Sequence, residues 1–357
     1  VRRIIVGAGF PGGPSGSIGG AGSEAYQTYR MFLKHGIEVH CFATWAAPPA
    51  ERRREVEDAG IVVHVVQPGT FVGILRDLGG PPVVSFCNRK FVPQWHRMKD
   101  VSPLVWVNCM TYLMMEERQG WKKGGMPSAF VFQSEYQRTT CENRLRRFGY
   151  REELGHSIRG AFCWDEWPFQ FLAREPSTPF VIGRAARPDT AKWHGSTLEM
   201  LDAVPNRQAI LLGVDEAVAR TLGRRKWARQ LRPGALPQRE FYRQLHAMLA
   251  VNGSAHENWP RVGLEAMAQG VPLVVDGRDG WMEMIQHGQT GFLAHKPREV
   301  TGYLQDLERD EALRLRIATA ARLSLEQDLA NPQRIWEGWC RVFWAIGAGH
   351  LAEENDA

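Results

Sequence analysis

The sequence predicts an α/β protein built as two doubly wound domains, each a parallel sheet wrapped by helices. Short apolar runs of strand length alternate with helical periodicities along the chain. At 357 residues the chain exceeds the size to which one core usually grows. The alternation breaks at 156–179, where Trp164, Asp165, Trp167, Pro168, Pro176 and Pro179 read as an irregular interdomain crossing, and a fresh strand starts at Phe180.

In the first half, strands are expected at 3–7, 37–42, 61–66, 82–86, 104–108 and 129–133, each an apolar run rich in β-branched or aromatic residues. Helices fit 23–34, 50–58, 71–78 and 135–148. Ser134-Glu135 reads as the start of the last of these, with Glu135 as a capping-box acid. The second half gives strand 180–183, helix 194–202, strand 208–213, helix 214–222, and a strand and helix around 248–275. Helical periodicity resumes at 297–306 and 310–325. The final helix, 331–346, carries Trp336, Trp339, Val342, Phe343 and Ile346 at helical spacing.

Composition narrows the function classes. No apolar run reaches the roughly 20 residues needed to cross a bilayer. The chain starts in the strand-like Ile4-Ile5-Val6, so no signal peptide is expected. Six scattered cysteines show no C-x-x-C pair and no His/Cys metal spacing, which fits a reducing cytoplasm and gives no metal site. Charge is uneven: residues 1–170 hold 21 Lys+Arg against 16 Asp+Glu, and residues 171–357 hold 23 of each. Arg144, Arg146, Arg147 and Arg151 cluster within that excess. It suits an anionic acceptor, peripheral contact with an inner membrane surface, or simply a solvated helix face. Nucleic acid is not expected as a partner.

Gly7-Ala8-Gly9-Phe10-Pro11-Gly12 follows a strand and spells the dinucleotide fingerprint, but two features oppose that reading. Pro11, Gly13, Pro14 and Gly16 prolong the loop where a helix should begin, and strand two ends Cys41-Phe42-Ala43-Thr44 without a ribose-binding acid. The loop 9–22 better suits close backbone approach to a sugar nucleotide, with a helix starting near Ser23.

The most informative stretch runs from His256 to Val275. Glu257 lies in a loop and Glu265 inside a helix eight residues later. Asn258 is expected to cap that helix, Pro260 to occupy its first turn, and Gly270 to stop it. A helix N-terminus flanked by two carboxylates suits a ligand with a diphosphate and hydroxyls.

This E-x7-E pattern resembles that of retaining glycosyltransferases of the GT-B fold, most closely family 4 (glycosyl transferases group 1). Phe180-Val181-Ile182-Gly183-Arg184 with Lys192 is similar to the segment that opens the family's second domain. Ile210-Leu211-Leu212-Gly213, Gly280-Trp281-Met282-Glu283-Met284-Ile285 and Gly288-Gln289-Thr290-Gly291-Phe292-Leu293 resemble its later segments. At the front, Gly19-Gly20-Ala21-Gly22-Ser23-Glu24 and His35-Gly36-Ile37-Glu38-Val39 do likewise. The likeness covers most of 1–325, strongly in the second half and weakly from about 70 to 165.

The resemblance implies two Rossmann-like domains facing a central cleft: an acceptor-side domain over 1–165, a linker over 166–179, and a nucleotide-sugar domain over 180–330. Helix 331–350 would pack back on the first domain. It further implies a metal-independent hexosyl transfer, with no cofactor, from a nucleoside diphosphate sugar to an acceptor hydroxyl on a glycan, a lipid-linked or a small molecule. Arg184, Lys192 and Glu257 would carry the catalysis, with Arg187 the alternative to Lys192, whose spacing from Arg184 is longer than usual. Glu265 would hold the ribose. Gly183, Gly213, Asn258, Trp259, Arg261, Leu264, Gly20 and Gly22 are the further donor contacts, and His96 and Asn108 the acceptor-side candidates. Pro260 departs from the family's glycines and removes one backbone donor. The competing readings are a nucleotide-sugar epimerase and a nucleotide-sugar-binding protein without turnover.

Overall fold

The structure is a computed structural model that describes residues 3–11, 19–175 and 177–353. It divides into two compact units, one formed by Val1–Phe162 with Pro332–Ala357, the other by Cys163–Asn331.

In the first unit the chain runs β1 (Ile4–Gly7), α1 (Gly20–Lys34), β2 (Glu38–Thr44), α2 (Ala50–Asp58), β3 (Val62–Val66), α3 (Phe71–Asp77), β4 (Val83–Phe86), β5 (Leu104–Val107), α4 (Met115–Gly124), β6 (Ala129–Phe132), α5 (Glu135–Leu145) and β7 (Gly155–Ser157). The strands form one parallel sheet in the order β3-β2-β1-β4-β5-β6-β7. Because strand side chains alternate faces, Ile5 joins one core layer and Val6 the other.

In the second unit follow β8 (Phe180–Ala185), α6 (Thr197–Asp202), β9 (Arg207–Leu212), α7 (Glu216–Leu222), β10 (Ala228–Leu231), α8 (Gln238–Tyr242), β11 (Ala247–Ala250), α9 (Arg261–Gln269), β12 (Leu273–Asp276), α10 (Trp281–Met284), β13 (Phe292–Ala294), α11 (Pro297–Arg309) and α12 (Glu311–Ser324). Its sheet order is β10-β9-β8-β11-β12-β13, again parallel. Each sheet therefore has a switch point where the order reverses, between β1 and β4 and between β8 and β11, the place where doubly wound folds hold ligands.

The last helix, α13 (Pro332–Ala345), belongs to the first unit. Trp339 meets Phe32 of α1 edge-on at 5.1 Å, and Trp336 stacks on His35 at 3.7 Å.

Several expectations are corrected. Residues 166–179, expected as an irregular interdomain linker, fall within the second unit, which starts at Cys163. Arg322 donates to the carbonyls of Trp167 (2.7 Å) and Ala268 (2.8 Å), and Gln269 Nε2 donates to Pro168 O (3.1 Å). Helix α1 begins at Gly20, ahead of Ser23, and residues 12–18 of the expected loop lie outside the described residues. Glu135 occupies the first position of α5; the cap is Ser134, which accepts from Gln137 N at 3.1 Å, and Gln137 is the side chain that reaches back, to Gln133 N.

Six elements carried too weak a pattern to be read. The edge strands β7 and β10 are short and half polar, and β13 has only three residues; α8 and α10 have only five and four. Helix α4 starts after Met114, which is no capping residue. Its cap is instead Glu117, whose Oε2 accepts from Met114 N (2.7 Å) while Oε1 accepts from Trp106 Nε1 (2.9 Å).

Candidate active site

The second unit gathers charge where β8, β11 and β12 end. Arg184, near the end of β8, is buried to 3 % exposure. Its Nη2 donates to Lys192 O (2.5 Å) and to Asn252 Oδ1 (2.6 Å), its guanidinium stands 5.5 Å from the Trp193 ring centre, and its Nε has no partner. Burial pulls its pKa down to about 10, with Glu257 and Asp276 pulling it back up, so it stays charged at neutral pH. Among the described residues no carboxylate forms an ion pair with it.

Lys192 ends a 3-10 turn that is capped by Asp189, whose carboxylate accepts from Ala191 N at 3.0 Å. That turn absorbs the long spacing after Arg184 and returns Lys192 to the site. Lys192 Nζ meets Glu257 Oε1 at 2.5 Å, with both side chains less than one-fifth exposed. Arg187 contributes its carbonyl, which accepts from Trp193 Nε1 at 3.1 Å.

Asn252, just past β11, joins the array. Its Nδ2 donates to Glu257 Oε1 (3.1 Å), and its backbone N–H donates to Asp276 Oδ2 (2.9 Å). Arg184, Lys192, Asn252 and Glu257 are thus one connected network. Sequence reasoning missed Asn252 and Asp276. The available signal was position: both sit at the C-terminal end of a buried parallel strand.

Helix α9 starts at Arg261, with extended Pro260 as its cap residue and no side-chain cap bond, so the expected capping by Asn258 is corrected. Gly270 ends it in a left-handed conformation, φ 76°. The chain before α9 is fixed by Gly280, whose N–H donates to Glu257 O at 2.9 Å; a Cβ there would stand 1.7 Å from Asn258 O. Only glycine allows that closeness.

Glu265 lies one helical turn after Arg261 and is 6 % exposed. Tyr242 Oη donates to its Oε2 at 2.8 Å. Burial pushes its pKa up to about 7, against the opposing pull of Arg261 and the Tyr242 bond. Tyr242 was not foreseen, because α8 is too short to give a periodic signal. Trp259 (4 % exposed) and Leu264 (0 %) are core side chains, so their expected donor contacts reduce to backbone. Gly183 lies under Leu245, and Gly213 has φ +99° with Ala186 O so close that a Cβ would stand 1.8 Å from it.

The first unit is different in kind. At its switch point a cleft of about 500 Å³ is lined by small and apolar residues such as Ala8, Gly22, Ala25 and Phe86, by the polar Thr44 and Asn88, and by the cationic Arg89 and Lys90. Asn88 Nδ2 donates to Ala8 O (2.9 Å) and Thr44 Oγ1 (3.2 Å), tying β1, β2 and β4 together. Gly20 and Gly22 fall in the first turn of α1, and Gly22 reaches this cleft. The acceptor-side candidates do not line it. His96 sits in a turn over Val92–Arg97 with Nδ1 3.1 Å from Pro93 O, and Asn108 is buried directly after β5 with its Nδ2 unpartnered. Among the described residues no His/Cys/Asp/Glu cluster could hold a metal, and no helix is long and apolar enough to cross a membrane.

Comparison with known proteins adds to this geometry. Residues 203–324 match the family Glycosyl transferases group 1. No curated protein sequence matches the chain. Among solved structures, Anabaena HepE in complex with UDP-glucose superposes with a TM-score of 0.74 at 18 % identity, covering 95 % of this chain and 99 % of its own. A Rickettsia africae glycosyltransferase gives 0.75 at 12 % identity over 97 % and 99 %. Sucrose-phosphate synthase from Thermosynechococcus elongatus gives 0.73 at 14 % identity over 97 % and 100 %. With its two parallel-sheet units, the chain has the GT-B fold, and residues 203–324 of its second unit are similar to the glycosyl transferases group 1 family.

Proposed function

We propose that the protein is a retaining glycosyltransferase of family 4 type that moves a hexose from a nucleoside diphosphate sugar to an acceptor hydroxyl, without a divalent metal. The observation that carries this reading is Arg184. A buried guanidinium with an unpartnered Nε–H and no direct counter-ion is a strong site for an anion, because a buried charge is costly until it is paired.

Lys192 supplies a second cation beside it. It pairs with Glu257. A diphosphate competes for the ammonium and frees Glu257 to hold a hydroxyl of the donor sugar and to favour positive charge at the anomeric carbon. The two cations neutralise the departing diphosphate through charge-assisted bonds. Glu265, oriented by Tyr242, accepts from the ribose hydroxyls. UDP-sugars are the first donors to try, since HepE is solved with UDP-glucose and pneumococcal GtfA, which matches with a TM-score of 0.68, with UDP and GlcNAc. The first unit's cleft, with apolar walls, a few hydroxyl and amide groups and the cations Arg89 and Lys90, takes the acceptor side.

The test is incubation with UDP-, GDP- and ADP-sugars in excess chelator, with and without candidate acceptors. Free nucleoside diphosphate and a product of unchanged anomeric configuration by NMR are expected. An inverted product would overturn retention, and loss of turnover rescued by magnesium would overturn the cationic account. A changed sugar still attached to nucleotide would make the protein an epimerase, and donor binding without any turnover would make it a binding protein.

A further inference from the structure

We propose that the face of the first unit formed by α4, the loop before it and the turn after α5 is a docking surface for an anionic lipid bilayer. Helix α4 buries Glu117, Gly120 and Trp121. Its opposite stripe, Met115, Arg118, Gln119 and Lys122, is exposed and follows helical spacing. At the tip stand two of the chain's exposed large apolar side chains, Met115 at 66 % and Tyr112 at 49 % exposure.

Cations surround that tip. Arg144 Nη1 donates to Thr111 O at 3.0 Å, which fixes α5 against the loop, and exposed Arg146 and Arg147 follow in a turn that packs beside α4. Arg89 donates to Glu116 Oε1 through Nε (3.0 Å) and Nη2 (2.7 Å). That pairing neutralises Glu116, the one exposed-side carboxylate of the first turn, since Glu117 is fully buried. The face is therefore basic with an apolar point.

An aromatic and a thioether that protrude among arginines and lysines match the interfacial layer of a bilayer, where amphipathic rings sit at headgroup depth and lysine or arginine meets anionic lipid. Charge alone would serve any polyanion; the apolar tip selects lipid. The location also agrees with the charge excess of residues 1–170, which the second half lacks.

Full-length protein is sedimented with vesicles of phosphatidylcholine alone or mixed with phosphatidylglycerol. Binding to the mixed vesicles should be about tenfold stronger and should weaken as salt is raised. A triple variant, Arg144→Gln with Arg146→Gln and Arg147→Gln, should lose about tenfold of that binding. A double variant, Tyr112→Ser with Met115→Ser, should lose severalfold at unchanged salt dependence. UDP affinity and melting temperature, which report the second unit and the fold, should stay at wild-type values in both. Equal binding to neutral and anionic vesicles, or wild-type vesicle binding by both variants, would overturn the proposal. So would binding to polyglutamate as tight as to vesicles with no effect of the Tyr112/Met115 change, because that is attraction to any polyanion.

Discussion

The two units share a sheet plan and differ in what they place at its switch point. Strand order β3-β2-β1-β4-β5-β6 in the first reappears as β10-β9-β8-β11-β12-β13 in the second. In the second, the ends of β8, β11 and β12 carry Arg184, Asn252 and Asp276, linked onward to Lys192 and Glu257. In the first, the corresponding ends carry Ala8, Asn88 and Asn108; Ala8 and Asn88 line a cleft of alanines, glycines and phenylalanines together with Arg89 and Lys90, and Asn108 is buried apart from it. One backbone plan thus supports two chemistries. A connected network of Arg184, Lys192 and Glu257 suits a charged, leaving diphosphate; a cleft of mostly small and apolar walls, with two cations among its lining residues, suits a molecule that contributes a hydroxyl. The fold supplies the location and the strand-end side chains supply the specificity.

The largest effect expected from breaking this contrast comes from Glu257→Ala. Transfer should fall by about 10²-fold or more, mainly in kcat, while nucleoside diphosphate binds almost normally. Calorimetry and steady-state kinetics on the same preparation check it. Full activity in the variant would remove Glu257 from the mechanism.

Arg184→Ala should weaken nucleoside diphosphate binding about tenfold or more, the value of losing charge-assisted bonds, and leave the bare nucleoside little changed. Because Arg184 is buried and holds Lys192 O and Asn252, the control is Arg184→Lys, which keeps charge but not the planar fork. Equal weakening of both ligands would indicate a damaged fold.

Thr44→Val addresses the other unit. It removes a hydroxyl from the cleft and one partner of Asn88. Acceptor KM should rise about two- to tenfold and nucleoside diphosphate affinity should not move. A loss of donor affinity would erase the division of labour between the units.

The smallest effect is on pH dependence. Burial raises the Glu265 pKa to about 7, so the folded protein holds a proton there that the unfolded chain has released. Stability from this group is therefore present below the ordinary carboxyl range and is lost as pH rises toward 7. Relative to Glu265→Gln, the wild type should lose a few degrees of melting temperature over that interval. Ribose recognition needs the carboxylate, so nucleoside diphosphate binding should strengthen as pH passes 7, and Glu265→Gln should flatten that rise. Parallel profiles for the two proteins would remove Glu265 from ribose binding.

Much of this comparison was legible in the residues. Apolar runs such as Ile4–Val6, Leu104–Val107 and Ala247–Ala250 are buried strands because a parallel sheet covered on both faces needs continuous apolar sequence. Glu257, Glu265 and Gly270 stood out by spacing, since a helix stop and two carboxylates eight residues apart are local facts, whereas Arg184 was singled out through the family resemblance of the strand-Gly-Arg segment. Elements whose stability comes from neighbours were not found: β10 is held at a sheet edge by β9, and α4 by packing of Trp121 against Trp106.

By itself, then, the sequence determined two parallel α/β domains and the carboxylates and cations of the second. Periodicity and capping act within a few residues and need no tertiary partner. Tertiary structure decided which of those groups meet. Lys192 reaches Glu257 across 65 positions of chain, Asn252 bridges Arg184 to that pair, and Tyr242 orients Glu265 from a five-residue helix. It also withdrew Trp259 and Leu264 into the core. Such contacts are set by how strands order themselves in a sheet, and strand order depends on long-range pairing that no local pattern records.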